Sequence, residues 1–256
     1  MKYKGLLLDV DRTLIRDDQT ISSQVISAIR SVKSKVRVGL CSGRPYFAYK
    51  HYLEQLELDG LHISHGGAQI VEFPSGKVQF EEVMPERISR QIYKEMSRVG
   101  CVVILQDSRY QYQDLRKILD PKFPVEYRPI RALKDWRVPK IVIYGLDQEK
   151  WKLLNEFTQV HVSQFVYRDF PLEWADITPK HINKQAAVLK WAKFTGMEPA
   201  EIVAVGDGPN DYPMLMAAGL KIAMGNAVQE LKDIADFVCP SVDEDGVATV
   251  IEKFFS

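Results

Sequence analysis

The 256-residue chain has little cysteine, no excess of either charge and no long apolar run, and each shortage removes a class of protein. Cys41, Cys101 and Cys239 are odd in number and widely spaced, which fits neither a disulfide framework nor a zinc site; all three are expected to be reduced and structural. Lys and Arg total 34 against 34 Asp and Glu, so the formal net charge is zero, and no basic run is long enough for the footprint of a nucleic-acid binder. No apolar stretch approaches the roughly 20 residues of a membrane span, and no signal-peptide pattern opens the chain. A cytoplasmic protein with neither nucleic acid nor membrane as partner is expected. Repeats and low-complexity tracts are missing too, and no pattern speaks to oligomeric state. What remains is an ordinary globular composition, 46% hydrophobic, long enough for one or two domains burying roughly 70–75% of their unfolded surface.

The chemistry gathers at the ends of apolar runs. Gly5-Leu6-Leu7-Leu8 reads as a strand that delivers Asp9, Asp11 and Thr13 to its C-terminal end. Side chains alternate along a strand, so Asp9 and Asp11 would share a face if the extended conformation persisted, and two carboxylates that close repel unless a cation or a shared proton neutralises them. In open α/β sheets ligands collect at the carboxyl ends of strands, where this pair sits. Val38-Gly39-Leu40-Cys41 is a second such strand, ending in Ser42-Gly43-Arg44-Pro45; its turn into a helix offers an anion a hydroxyl, backbone N–H groups and the positive helix end. Ile202-Val203-Ala204-Val205-Gly206 repeats the design with Asp207, Asn210 and Asp211, while Asn183-Lys184 opens a helical pattern with Asn183 as a plausible N-cap.

Strand and helix patterns alternate to about residue 82: strand 5–9, helix 22–34, strand 36–41, helix 45–56, strand 61–64 and a hairpin across Pro74-Ser75-Gly76-Lys77. They resume after about 178 with helix 184–195, strand 201–206, helix 210–217, strand 220–223, helix 227–233, strand 236–239 and a helix near 245–254. Between them lies an insert with helices at 85–98, 114–119 and 148–157. Its strands are expected at 101–106, 109–112, 125–128, 139–145, 160–167 and 173–177. Trp136, Trp151, Tyr110, Tyr112, Tyr167 and Arg168 fall in this insert, and aromatic residues at such density suit a core better than a binding surface.

Taken in order, these segments resemble the four motifs of the haloacid dehalogenase superfamily, over nearly the whole chain, and look most like its Cof-like branch of sugar-phosphate phosphatases. Gly66-Gly67-Ala68, Gly219 to Ala227 and Asp243 to Val247 resemble that branch's later signatures. The resemblance implies a Rossmann-like doubly wound parallel-sheet core (1–82 and 178–256) with an inserted α/β cap of the C2 type (83–177) that closes over the site and selects the substrate. It implies a Mg2+-dependent phosphatase of small phosphorylated metabolites, foremost sugar phosphates. Asp9 would be the nucleophile that becomes an aspartyl phosphate and Asp11 the general acid and base. Ser42, Gly43 and Asn210 would bind the phosphoryl group, and Lys184, with Lys180 as runner-up, would offset its charge. Asp9, Asp207, the Asp11 backbone carbonyl and, directly or through water, Asp211 would hold the metal, although an acid at a helix start also suits the macrodipole. Arg44 suits either a substrate contact or an ion pair, and His65 either a substrate contact or a plain turn. A phosphomutase using the same nucleophile, or an idle ligand-binding protein that kept the fold, are the alternatives. The chain departs from the family pattern at Arg12, His181 and Gln185, where glycine is usual, and at Gly66, where asparagine is common.

Overall fold

In the structure, a computed structural model that describes residues 2–114, 126–165 and 173–256, the N-terminal part runs β1 (Gly5–Leu8), α1 (Ser23–Val32), β2 (Arg37–Leu40), α2 (Tyr46–Leu56), β3 (Gly60–Ser64), β4 (Gln69–Phe73) and β5 (Lys77–Glu81). Next come α3 (Glu86–Arg98), β6 (Val102–Gln106), β7 (Gln111–Gln113), β8 (Tyr127–Pro129), β9 (Lys140–Leu146), α4 (Gln148–Asn155), β10 (Val160–Phe165) and β11 (Glu173–Pro179). The chain ends with α5 (Lys184–Thr195), β12 (Ile202–Gly206), α6 (Tyr212–Ala217), β13 (Leu220–Ala223), α7 (Gln229–Ile234), β14 (Phe237–Val238) and α8 (Gly246–Phe255). The helix expected at 114–119, the end of the strand expected at 160–167, Tyr167 and Arg168 lie outside the described residues.

A parallel sheet in the order β14-β13-β12-β1-β2 forms the centre. Its strands are near-continuous apolar runs because helices cover both faces, and Leu6, Leu7 and Leu8 are wholly buried. From β1 the chain steps outward to β2, whereas β12, β13 and β14 step outward on the other side, so the order reverses between β1 and β12. A crevice opens at the carboxyl ends of strands at such a switch point. The register carries this further: Leu8 lies level with both Val205 and Leu40, so the strands end together and release Asp9, Asp207 and Ser42 side by side.

Helix α5 is seated by shape. Trp191 is fully buried, its ring 3.2 Å from the place a Cβ would take on Gly39 or Gly5, so these two glycines make the groove it fills. Its Nε1 donates to the Leu61 carbonyl at 2.7 Å, and Asn183 caps the helix by accepting from the Ala186 N–H at 2.9 Å. The antiparallel trio β3-β4-β5 joins the edge of the core sheet through a parallel bridge between Cys41 and Ile63.

The insert builds a separate sheet in the order β10-β11-β9-β6-β7-β8, antiparallel except between β7 and β8. One face carries Val103, Leu105, Ile141, Ile143, Ala175 and Ile177 and is closed by Ile88, Ile92 and Met96 of α3 and Leu154 of α4. By alternation the opposite face presents Gln106, Lys140, Val142, Asp176 and Ser163. Trp136 stacks edge-on to Tyr93 with Arg90 over its ring, and Trp151 donates to Glu173 at 2.5 Å, so both aromatics act in packing. None of the helices among the described residues is long and apolar enough to cross a membrane.

Trp191→Ala should cost about 3–5 kcal/mol, as truncating a buried aromatic does, and leave the Leu61 carbonyl without its donor. Urea unfolding of the variant measures this; a loss below about 1 kcal/mol would mean that the groove over Gly5 and Gly39 does not seat the helix.

Candidate active site

Three carboxylates meet where β1 and β12 end. Asp9, Asp207 and Asp211 are buried, and their oxygens lie within 4.8 Å of one another. At an effective dielectric constant near 20, each ionised pair at that distance repels by about 3–4 kcal/mol. Among the described residues one cation is bonded directly to this group: Lys184, at the first position of α5, donates to Asp9 Oδ1 and to Asp211 Oδ1, both at 2.5 Å, and is 3% exposed. An ammonium at a helix N-terminus opposes the macrodipole, so the two carboxylates are what keep it there. Lys180, the runner-up, is exposed and outside this group.

One cation does not balance three acids. Burial first, then the charge on Asp211, pushes the Asp9 carboxyl up to about 7, and the same causes push Asp207 to about 8. Burial disfavours the Lys184 ammonium, yet Asp211 and Asp9 outweigh it and hold its pKa well above that of an ordinary lysine. The donor set is entirely oxygen and carries uncompensated negative charge, which suits a hard divalent cation.

Asp211 is more engaged than a simple ligand. Its Oδ2 accepts from the Asp207 and Gly208 N–H groups, each at 3.0 Å, bracing the turn that carries Asp207. The helix-start role and membership of the acidic group therefore hold together. Gly206 permits this, because a Cβ there would come within 2.6 Å of the Asp211 side chain. Asp207 itself is oriented by Thr13 Oγ1 at 3.3 Å and, more loosely, by Asn226 Nδ2 at 3.5 Å.

Asp11 does not join the other acids. The strand β1 stops at Leu8 and Asp11 instead bridges Ile15 just before the left-handed Arg12 (φ +58°), although its charge still reaches Asp9 and pushes that carboxyl up. Arg44 grips Asp11 with both Nε and Nη2, and the carboxylate stays half-exposed. Arg44 also donates to Gln19 Oε1 at 2.7 Å, which resolves it as an ion-pair residue that orients Asp11. Arg12 occupies a left-handed conformation that glycine adopts freely, and its carbonyl accepts from Asn226 Nδ2 at 2.8 Å. Asn226, which also accepts from the Val242 N–H, thus ties together three loops of the site; the Gly225-Asn226-Ala227 signature marked the place but not the task.

Ser42 is fully buried, its Oγ accepting from the Arg44 N–H at 3.0 Å. Gly43 and Asn210 line a cleft of about 280 Å³ between core and insert, with Gly66, Thr178, Asn183 and Lys184 from the core and His161, Val162, Ser163, Gln164 and Asp176 from the insert. Of the departures, His181 and Gln185 are exposed, and Gly66, at φ +68°, uses the left-handed freedom that asparagine also tolerates. His65 is a buried seam residue whose Nε2 lies 3.2 Å from the Asp107 carbonyl. Burial, then the Lys140 charge, lowers its pKa to about 3, so it is neutral.

A family profile described as haloacid dehalogenase-like hydrolase matches residues 6–251. The chain belongs to the haloacid dehalogenase-like hydrolases. A relative, the 5-amino-6-(5-phospho-D-ribitylamino)uracil phosphatase YitU of Bacillus subtilis, is 27% identical over 264 residues, covering 98% of this chain and 97% of that one. A haloacid dehalogenase-like hydrolase from Bacteroides thetaiotaomicron superposes with TM-score 0.82 at 27% identity, over 99% of this chain and all of that one. The phosphatase BT1666 from the same organism gives TM-score 0.83 at 25% identity, over 98% and 95%. The resemblance drawn from the motifs, the parallel-sheet core with its separate sheet-bearing cap and the expectation of a hydrolytic enzyme are borne out.

A pH dependence follows from the acids of this haloacid dehalogenase-like site. Asp9 and Asp207 are raised above the ordinary aspartate value of about 3.8, so in the metal-free protein their contribution to stability is full below about pH 4 and is lost as pH rises through about 7 to 8. A divalent cation competes with those protons. Added magnesium should therefore raise the melting temperature more at about pH 8.5 than at about pH 5.5, relative to chelator-treated protein, and Asp207→Asn should shrink the difference. Equal shifts at both pH values would place the cation elsewhere.

Proposed function

We propose that this protein is a magnesium-dependent phosphatase of small phosphorylated metabolites, sugar phosphates foremost, working through an aspartyl phosphate on Asp9. The observation that carries the proposal is the buried group of Asp9, Lys184, Asp207 and Asp211 at the switch point, joined through Lys184 to a cleft that Gly43 and Asn210 also line. The nucleophile is Asp9, whose carboxylate oxygen bonds to phosphorus as the substrate alkoxide leaves. Asp11 protonates that alkoxide and later takes a proton from the water that hydrolyses the acyl phosphate, with Arg44 fixing its orientation. Ser42, the Gly43 N–H and Asn210 receive the phosphoryl oxygens, while Lys184 offsets the charge shared by Asp9 and phosphate. Magnesium suits the site through Asp9, Asp207, the Asp11 backbone carbonyl and, directly or through water, Asp211; when bound it would neutralise charge on the transferring group.

Division of the chain into a core of 1–82 and 178–256 and a cap of 83–177 is supported by two separate apolar clusters, one spanning Tyr3 to Phe255 and the other Met84 to Ile177. The cap's share of the cleft is the Ser163 hydroxyl, His161 imidazole, Gln164 amide and Asp176 carboxylate beside the apolar Val162, and the cleft is small as ligand sites go, which favours a compact leaving group with both hydroxyl and carbon surface. The substrate named for YitU carries its phosphate on a ribityl chain, a related chemistry. The cytoplasm remains the expected compartment, consistent with three free, buried thiols.

A phosphate-release screen across sugar phosphates, nucleotides, flavin mononucleotide and pyridoxal phosphate tests the function. Asp9→Asn should abolish turnover with the fold intact, and steady-state activity in it would exclude the acyl phosphate. Asp11→Asn should slow turnover by ~10²–10⁴-fold while retaining magnesium binding, since its metal contact is through backbone. Excess chelator should stop wild-type hydrolysis and magnesium restore it; unchanged activity under chelation would contradict the metal assignment.

A further inference from the structure

The loop Ser42-Gly43-Arg44 is pinned on its core side by four hydrogen bonds. The Ser42 N–H donates to the Ile63 carbonyl, the Ser42 carbonyl accepts from the Gly66 N–H, the Arg44 carbonyl accepts from the His65 N–H, and the Arg44 N–H donates to Ser42 Oγ, each at 3.0 Å. Gly43 sits at the apex. Its N–H has no partner among the described residues, and its carbonyl points at the cap, where Lys140 Nζ donates to it at 2.7 Å. Lys140 comes from β9 and is held by Asp176 of β11 at 2.5 Å; the lysine is 4% exposed and its carboxylate partner largely buried. This ion pair lies against the glycine itself, for a Cβ on Gly43 would stand 3.5 Å from Asp176 Oδ2 and 3.7 Å from Lys140 Nζ. Close by, His65 of the core meets the Asp107 carbonyl of the cap, so two bridges between the parts converge on the same pair of turns.

Glycine itself restricts φ and ψ little, so the apex depends on hydrogen bonds to its flanking peptides, and a backbone N–H stabilises a phosphoryl oxygen well only if its direction is set beforehand. We infer that Lys140 is a positioning residue of the reaction: clamped by Asp176, it holds the Gly43–Arg44 peptide through the Gly43 carbonyl while the Gly66 N–H holds the Ser42–Gly43 peptide, so that with both flanking peptides restrained the Gly43 N–H stays aimed at the phosphoryl group and a cap-borne ammonium completes a core-borne anion site. A charged donor is suited to this because charge-assisted bonds are shorter and stronger than neutral ones. The inference rests on the phosphatase reading for its consequence in turnover, but not for its consequence in phosphate binding.

The test uses the full chain with p-nitrophenyl phosphate for kinetics and inorganic phosphate for calorimetric titration. Lys140→Met strands a buried carboxylate, so the decisive variant is Lys140→Met combined with Asp176→Asn, which removes both charges. It should lose about tenfold to a hundredfold in kcat/KM, mostly in kcat, and weaken phosphate binding by a similar factor while its thermal melt stays near that of wild type. Lys140→Arg should recover most of both. Wild-type kinetics and phosphate affinity in the double variant would overturn the inference, as would an arginine variant no better than the methionine one. If wild type hydrolyses no phosphomonoester, the phosphatase reading falls, and the phosphate titration alone decides the role of Lys140.

Discussion

The bond on which the rest of the molecule depends is that between the Lys184 ammonium and the carboxylates of Asp9 and Asp211. Three acids at the separations found would repel by an amount comparable to the whole stability of a typical domain, about 5–15 kcal/mol. The fold accepts this cost only because it can deliver a cation to the same point, and several features serve that delivery. The groove over Gly5 and Gly39 seats Trp191 and so sets the height of α5; Asn183 starts that helix at the right residue; Gly206 lets Asp211 come close enough to brace Asp207. The residual negative charge gives the site its affinity for protons and cations alike.

Much of this was legible in the sequence, because the signals are local. Asp9, Ser42 and Asp207 each end an apolar run, and equal register at the ends of β1, β2 and β12 follows from parallel pairing once the runs are recognised. The place of Lys184 at a helix start was legible through its N-cap neighbour Asn183, its role only through the family resemblance. What could not be read are partnerships between residues far apart in the chain: Arg44 with Asp11, Asn226 with the Arg12 carbonyl, Lys140 with Gly43. Each joins a residue within a recognisable motif to one whose own surroundings look ordinary. The left-handed turn after Asp11 was hidden for another reason, since arginine gives no warning of that conformation.

Arg12 shows how a departure from a family pattern is absorbed. A side chain at φ +58° carries strain of roughly 1–2 kcal/mol that glycine would avoid. The turn is held from outside, by the Asn226 amide on the Arg12 carbonyl and by the Arg12 N–H on the Ile15 carbonyl. The guanidinium also lies near enough to Asp207 to favour its ionised form. Backbone geometry is thus kept while the electrostatics beside the acids change, which is the kind of alteration that tunes a site without dismantling it.

The order of strands in the central sheet has a consequence for how the protein is made. β1 lies between β2, which follows it closely, and β12, which begins 194 residues later. At a translation rate of about 5–20 residues per second, roughly 10–40 s separate the synthesis of Leu8 from that of its partner on the far side. The cap, by contrast, is contiguous and can condense on the ribosome as soon as it emerges. During biogenesis the cap therefore matures first, while Leu6, Leu7 and Leu8 wait with one edge open, a window in which a holding chaperone would find its target.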